Sequence, residues 1–270
     1  MDRQKDACFT RNVFGVSVVE FFWGLGFPIV LESTFLQLFL TSLGASSLVI
    51  GIVPALFVFG VSAFPLFSSY LARNHRFKKP LVVFLHLISG LSIFIFGLIL
   101  LTVNGVEDVL PIFFCCYMIF SLCMGLTIPV WLNYLMRIFS ERKSVPGLGY
   151  MMLAQNIGKV VASFFILKVV EKHAFSLHSS AYVFMVTGLF FVLGSLCFFI
   201  TREIADPGDP ERSNLSFLRH TGQSFAEILG NHRFLRFLAA DLDFYVILTV
   251  MSFYANYATT FYHVPAAVAA

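Results

Sequence analysis

A few charged and amide side chains stand where an apolar sequence has little use for them. Glu20 lies in "VSVVEFFWGLGFPIV" (Val16 to Val30), which is otherwise apolar but for Ser17. A carboxylate among hydrocarbon must be paired, protonated or facing water, so it is a functional candidate by default. Helical spacing puts Trp23 and Phe27 on its face. Apolar walls with a few polar groups suit an organic ligand; in a chain with 34 phenylalanines, the same rings also suit plain packing. A second cluster, Gln155, Asn156 and Lys159, interrupts another apolar run, and Gln155 and Lys159 share a helix face. Counted from the same end of the two runs, Glu20 lies ~10 Å deep and Lys159 ~16 Å deep at the helical rise. Two long side chains can close that difference, and the pattern predicts a Glu20–Lys159 pair, weak in net stability but costly to break from one side.

Other candidates are Asp241 and Asp243, near the start of a later apolar run. They point to nearly opposite helix faces, so at most one faces an interior. Asp241 holds a position like that of Glu20 and is favoured, against the alternative that both are surface charges near Arg233 and Arg236. Glu32 reads as a charge that reaches the headgroups. Asn133 and Tyr134 follow Pro129, which can kink its helix and free a carbonyl, as can Pro28. His86 is either a proton shuttle or, as is commoner, a packed and hydrogen-bonded ring. Enzyme chemistry finds no footing. "AQNIGKV" lacks the first glycine and the Ser/Thr of a phosphate-binding loop, and no G-x-S-x-G or H-E-x-x-H occurs. The five cysteines show no C-x-x-C spacing. No catalytic residue, metal or cofactor is expected.

The elements that carry these residues are long. The chain is 58% AVILMFWYC and 12% charged, about half the charge of a soluble domain. Apolar runs of the roughly 20 residues needed to cross a bilayer recur. They predict an all-α polytopic membrane protein with about seven spans, near 13–39, 47–70, 80–103, 110–136, 148–170, 181–201 and 236–262. A soluble helical core would show a polar stripe, and "LVVFLHLISGLSIFIFGLILL" has none. The first run is too long for a secretory signal and lacks a cleavage site, so it is expected to stay as an anchor.

Lysine and arginine set the orientation. Fifteen of the 18 basic residues fall before span 1, between spans 2 and 3, between 4 and 5, or after 6. The positive-inside rule places those segments and the N-terminus in the cytoplasm, so the net charge of +3 reflects topology and not nucleic-acid binding. Residues 1–201 read as a six-helix bundle, 202–235 as a cytoplasmic linker, and 236–270 as span 7 with the start of a further, missing half. Within the linker, Leu218, Phe225, Ile228 and Leu229 recur at helical spacing. That fits either a helix on the membrane surface or a solvated linker with some helix. A faint echo links span 1 to span 7, with an acidic residue early in each, as in transporters built from repeated halves.

Six spans, a cytoplasmic linker and a basic loop between spans 2 and 3 resemble the major facilitator superfamily. The residues that carry the resemblance are "LGASSLVIGIVPALFVFGVSAFPLFSSYLARNHRFKKP" (Leu43 to Pro80). The family's loop motif is G-x-x-x-D-R-x-G-R-K. Arg73 and Arg76 resemble its basic positions, with Lys78 one residue beyond the last of them, while Ser68, Ala72 and His75 stand where it has its glycines and aspartate. In the family that aspartate helps latch the two halves. Ala72 cannot, so another group serves or gating differs. The resemblance implies alternating access around a central cavity lined by spans 1, 4, 7 and 10, in a plasma or inner membrane, with a monomer expected. The partners are then the bilayer, a small organic solute and, if Glu20 or Asp241 is a coupling group, protons. Two other readings stay open: a seven-span receptor, against which the cytoplasmic N-terminus argues, and a truncated, transport-inactive product. The topology predicts that a cysteine replacing Arg3 reacts with an impermeant thiol reagent only from the cytoplasmic side; reaction from outside overturns the orientation and revives the receptor.

Overall fold

The structure, a computed structural model, describes all residues except 1, 32–33, 74, 104, 174–175, 206–215, 242–253 and 265–270. Glu32 and Asp243 lie outside the described residues, as does the middle of the seventh predicted span. All regular structure among the described residues is helical. A short α1 (Asp2–Ala7) leads into α2 (Phe9–Val30) and α3 (Thr34–Ser42), which occupy the first predicted span. The second is divided into α4 (Ser47–Ala63) and α5 (Pro65–Arg73). Pro65 is the cause of the break: it lacks the N–H that would continue the ladder. Then follow α6 (Lys79–Leu100), α7 (Val106–Ile138), α8 (Glu141–His173) and α9 (Leu177–Cys197), which ends in a single 3-10 turn, Phe198–Ile200. Beyond it lie α10 (Phe217–Gly230), α11 (His232–Ala240) and α12 (Tyr254–Phe261).

Five stretches among the described residues are long and apolar enough to cross a membrane: Phe9–Ser42, Ser47–Ala72, Lys79–Leu100, Glu107–Ile138 and Leu177–Ile200. α8 carries Gln155, Asn156 and Lys159 midway and lies along α2. The α2–α8 and α6–α9 pairs are the most extensive contacts in the bundle, and α4 packs on α7. Apolar surface gains nothing by leaving lipid, so close backbone approach must hold such helices together. Glycine permits it here. A Cβ on Gly24 of α2 would collide with the carbonyl of Gln155, and one on Gly158 of α8 with the carbonyl of Phe21.

The two ends of the bundle differ. At one end aromatic rings fill the core: Phe184 meets Phe39 at 5.2 Å and Phe96 at 4.8 Å, and Phe96 meets Phe113 at 5.4 Å. At the other end the basic residues collect around a hydrogen-bond network. Asn12, fully buried in α2, donates to the carbonyls of Ile138 and Arg202, each at 3.1 Å, and accepts from the Arg202 N–H at 2.7 Å. α10 docks on α5, where Phe217 meets Phe67 and Tyr70 edge-on at 5.5 and 5.6 Å. Leu218, Phe225 and Leu229 of α10 are exposed.

Overpacking a helix crossing costs about 1–3 kcal/mol. Gly158→Val is therefore expected to lower the unfolding temperature of the purified protein in detergent. Gly149→Ala, where a Cβ would meet nothing within 4 Å, should leave it unchanged.

Candidate functional site

Glu20 is the starting point. α2 carries it into the middle of the bundle, where it is 6% exposed. The Gly24–Gly158 crossing brings α8 close enough for the Gln155 side chain to reach it, and Gln155 Nε2 donates to Glu20 Oε2 at 2.5 Å. Lys159, one turn further along α8, acts on the carboxylate electrostatically. Its ammonium stands 5.7 Å over the ring of Phe27. The spacing of the sequence thus named Gln155 and Lys159 together with Glu20; the amide donates the hydrogen bond and the lysine adds its field.

A cavity of about 140 Å³ opens beside this group. α2 contributes Glu20, Trp23 and Phe27 to its wall, and α8 contributes Gln155. Opposite, α7 contributes Thr127 and Trp131, among others, and α6 contributes His86. Both tryptophans of the chain therefore line one space. Trp23 is 2% exposed, stacks on Phe191 at 4.3 Å and meets His86 edge-on at 4.8 Å. Its indole N–H has no hydrogen-bond partner among the described residues. His86 Nδ1 lies 2.8 Å from the carbonyl of Val82, which can only accept, so that nitrogen carries a proton. The ring is packed and bonded as the commoner sequence reading has it, yet its edge also faces the cavity.

Not every candidate comes here. Asn156 is exposed on the far side of α8. Asn133 is half-buried on α7 and does not line the cavity. Asp241 ends α11, half-buried, with its backbone N–H on the Leu238 and Phe237 carbonyls. Trp131 and Thr127 were not singled out by the sequence. Pro129 gave the only hint, by marking the turn of α7 between them.

The basic loop has its own site. Arg73 closes α5, and Arg76 offers its carbonyl to Arg137 at 2.7 Å. Lys78 is buried, with its ammonium 2.5 Å from the carbonyls of Ala72 and His75. Glu203, from the segment after α9, organises this corner. Its side chain is 2% exposed, and its two oxygens accept from the N–H groups of Lys78 at 2.8 Å and Lys79 at 2.9 Å. It thereby caps α6, whose first N–H groups have no partner within the helix. Arg137 Nε lies 4.0 Å away, completing an ion pair from the end of α7. Tyr134 bonds Thr201 nearby, and Lys79 donates to the Thr201 carbonyl at 2.8 Å.

Long apolar helices thus meet around a small, aromatic-walled cavity that holds a buried carboxylate. The sequence model described as Major Facilitator Superfamily matches residues 13–269. The chain belongs to the major facilitator superfamily. It is accordingly a multi-pass integral membrane protein of a transporter family. The comparison with curated proteins finds no match. As a superfamily member it lacks the loop aspartate at Ala72, and an acidic group does reach the adjacent helix start, from Glu203. Losing a charge-assisted hydrogen bond costs about 1.5–3 kcal/mol. Glu203→Ala should therefore lower the unfolding temperature, and Glu203→Gln, which retains only one acceptor oxygen, should fall between; thermal unfolding of the purified protein measures both.

Proposed function

We propose that this superfamily member is a secondary transporter that moves a small organic solute by alternating access, with Glu20 at the centre of its binding site. The observation that carries the reading is the cavity itself: a buried carboxylate held by Gln155, flanked by Lys159 and walled by Trp23 and Trp131, at the meeting point of four helices. A carboxylate within an apolar membrane helix is rare and marks a functional site by default. Residues 1–201 act as one six-helix transmembrane unit, 202–235 as a cytoplasmic linker, and 236–270 as the region of the seventh span. The basic end faces the cytoplasm, and α10 lies along the membrane surface there, its exposed Leu218, Phe225 and Leu229 toward lipid. The loop of Arg73, Arg76 and Lys78 with Glu203 and Arg137 is the gating corner, Glu203 serving in place of the missing aspartate. Energy comes from a gradient, since no phosphate-binding loop is present in the sequence. Glu20 is the preferred coupling group: a carboxylate in this setting takes up or releases a proton as its donors change.

The test is uptake into vesicles carrying the product of the full reading frame, against a panel of solutes. Glu20→Gln keeps the side chain's size and removes its charge. It should cut transport of the identified solute at least about tenfold, the scale of one lost charged contact, and flatten its pH dependence. Unchanged uptake between about pH 5 and 8 removes Glu20 from the mechanism.

A further inference from the structure

We infer that the cavity beside Glu20 is a subsite for the head group of a solute carrying a protonated amine. The inference rests on the transport reading above and names its solute class. Two features support it. First, the protein's own ammonium marks the place. Lys159 Nζ stands 5.7 Å over the Phe27 ring while its charge acts on Glu20, and both Phe27 and Glu20 line the cavity. An ammonium is therefore already held near both the ring and the carboxylate. Second, the wall is aromatic where a cation would rest. Trp23 and Trp131 join Phe27, and indole faces attract cations most strongly of the side-chain rings.

Size limits the occupant. Pockets for drug-sized ligands run to about 300–1,000 Å³; about 140 Å³ suits a primary ammonium and its nearest carbons instead. Charge decides the sign. An anionic head would meet the Glu20 carboxylate across this small space. An ammonium can instead take over the position that Lys159 serves, and the lysine's flexible stem lets it withdraw. Lys159 is thus a competitor of the solute, and the pair stays neutral when the solute leaves.

The tryptophans make the test direct, because Trp23 and Trp131 are the only two in the 270-residue chain and both line this cavity. Intrinsic fluorescence of the purified chain is titrated with n-butylammonium, 1-butanol and butyrate, matched in size and at constant ionic strength. Butylammonium alone should give a saturable change. Glu20→Gln should raise its half-saturation at least about tenfold, and Lys159→Met should lower it about threefold to tenfold, as loss of a competing charge predicts. A saturable response to butyrate or butanol at equal or lower concentration overturns the inference, as does the absence of any saturable response. So does a Lys159→Met chain that binds butylammonium more weakly. Those results leave the transport reading to its own uptake assay, which can succeed with a neutral or anionic solute.

Discussion

A buried carboxylate in an apolar bundle needs a donor, and the arrangement around Glu20 follows from supplying one. The donor is Gln155, and it arrives from a different helix. Gln155 can reach only because α2 and α8 touch through Gly24 and Gly158, where any side chain would collide with backbone. The same crossing leaves Lys159 one turn beyond, close enough to act on Glu20 and to rest over Phe27. Pro28 adds to this region, since its missing N–H leaves the Gly24 carbonyl without a partner in its own helix. Site and helix contact are therefore one structural feature.

At the basic end a second carboxylate works differently. Glu203 does not line the cavity beside Glu20. It joins the start of α6 to the end of α7 by two backbone hydrogen bonds and an arginine. The superfamily's loop motif concentrates its acidic residue within the loop; here an acidic residue arrives from beyond the sixth predicted span. The loop's basic residues are then held largely by backbone: Lys78 on two carbonyls, and Arg137 on the carbonyl of Arg76.

The spans were legible because a bilayer demands long apolar runs, and the first six predicted runs coincide with helices or helix pairs. The break before Pro65 was not anticipated, although proline chemistry explains it. Glu20, Trp23, Gln155 and Lys159 were legible from helix spacing and depth. What spacing could not give was the rotation of α8 about its axis, which sends Gln155 inward and Asn156 outward. Trp131 was invisible because an aromatic in an aromatic-rich run carries no signal. Glu203 was invisible for the opposite reason: a carboxylate in a polar linker is unremarkable until the fold buries it.

Asn12 shows what order of synthesis means for such a bundle. Its three hydrogen bonds go to Ile138 and Arg202, 126 and 190 residues later in the chain. At ribosomal rates of about 5–20 residues per second, the second of these partners emerges roughly 10–40 s after Asn12 itself. Ile138 arrives first, so through the last part of that interval the amide of α2 has one of its two partners and lacks the other. A helix made early is thus locked in place only once the segment after α9 has been made, so the bundle closes on its first membrane-length helix late.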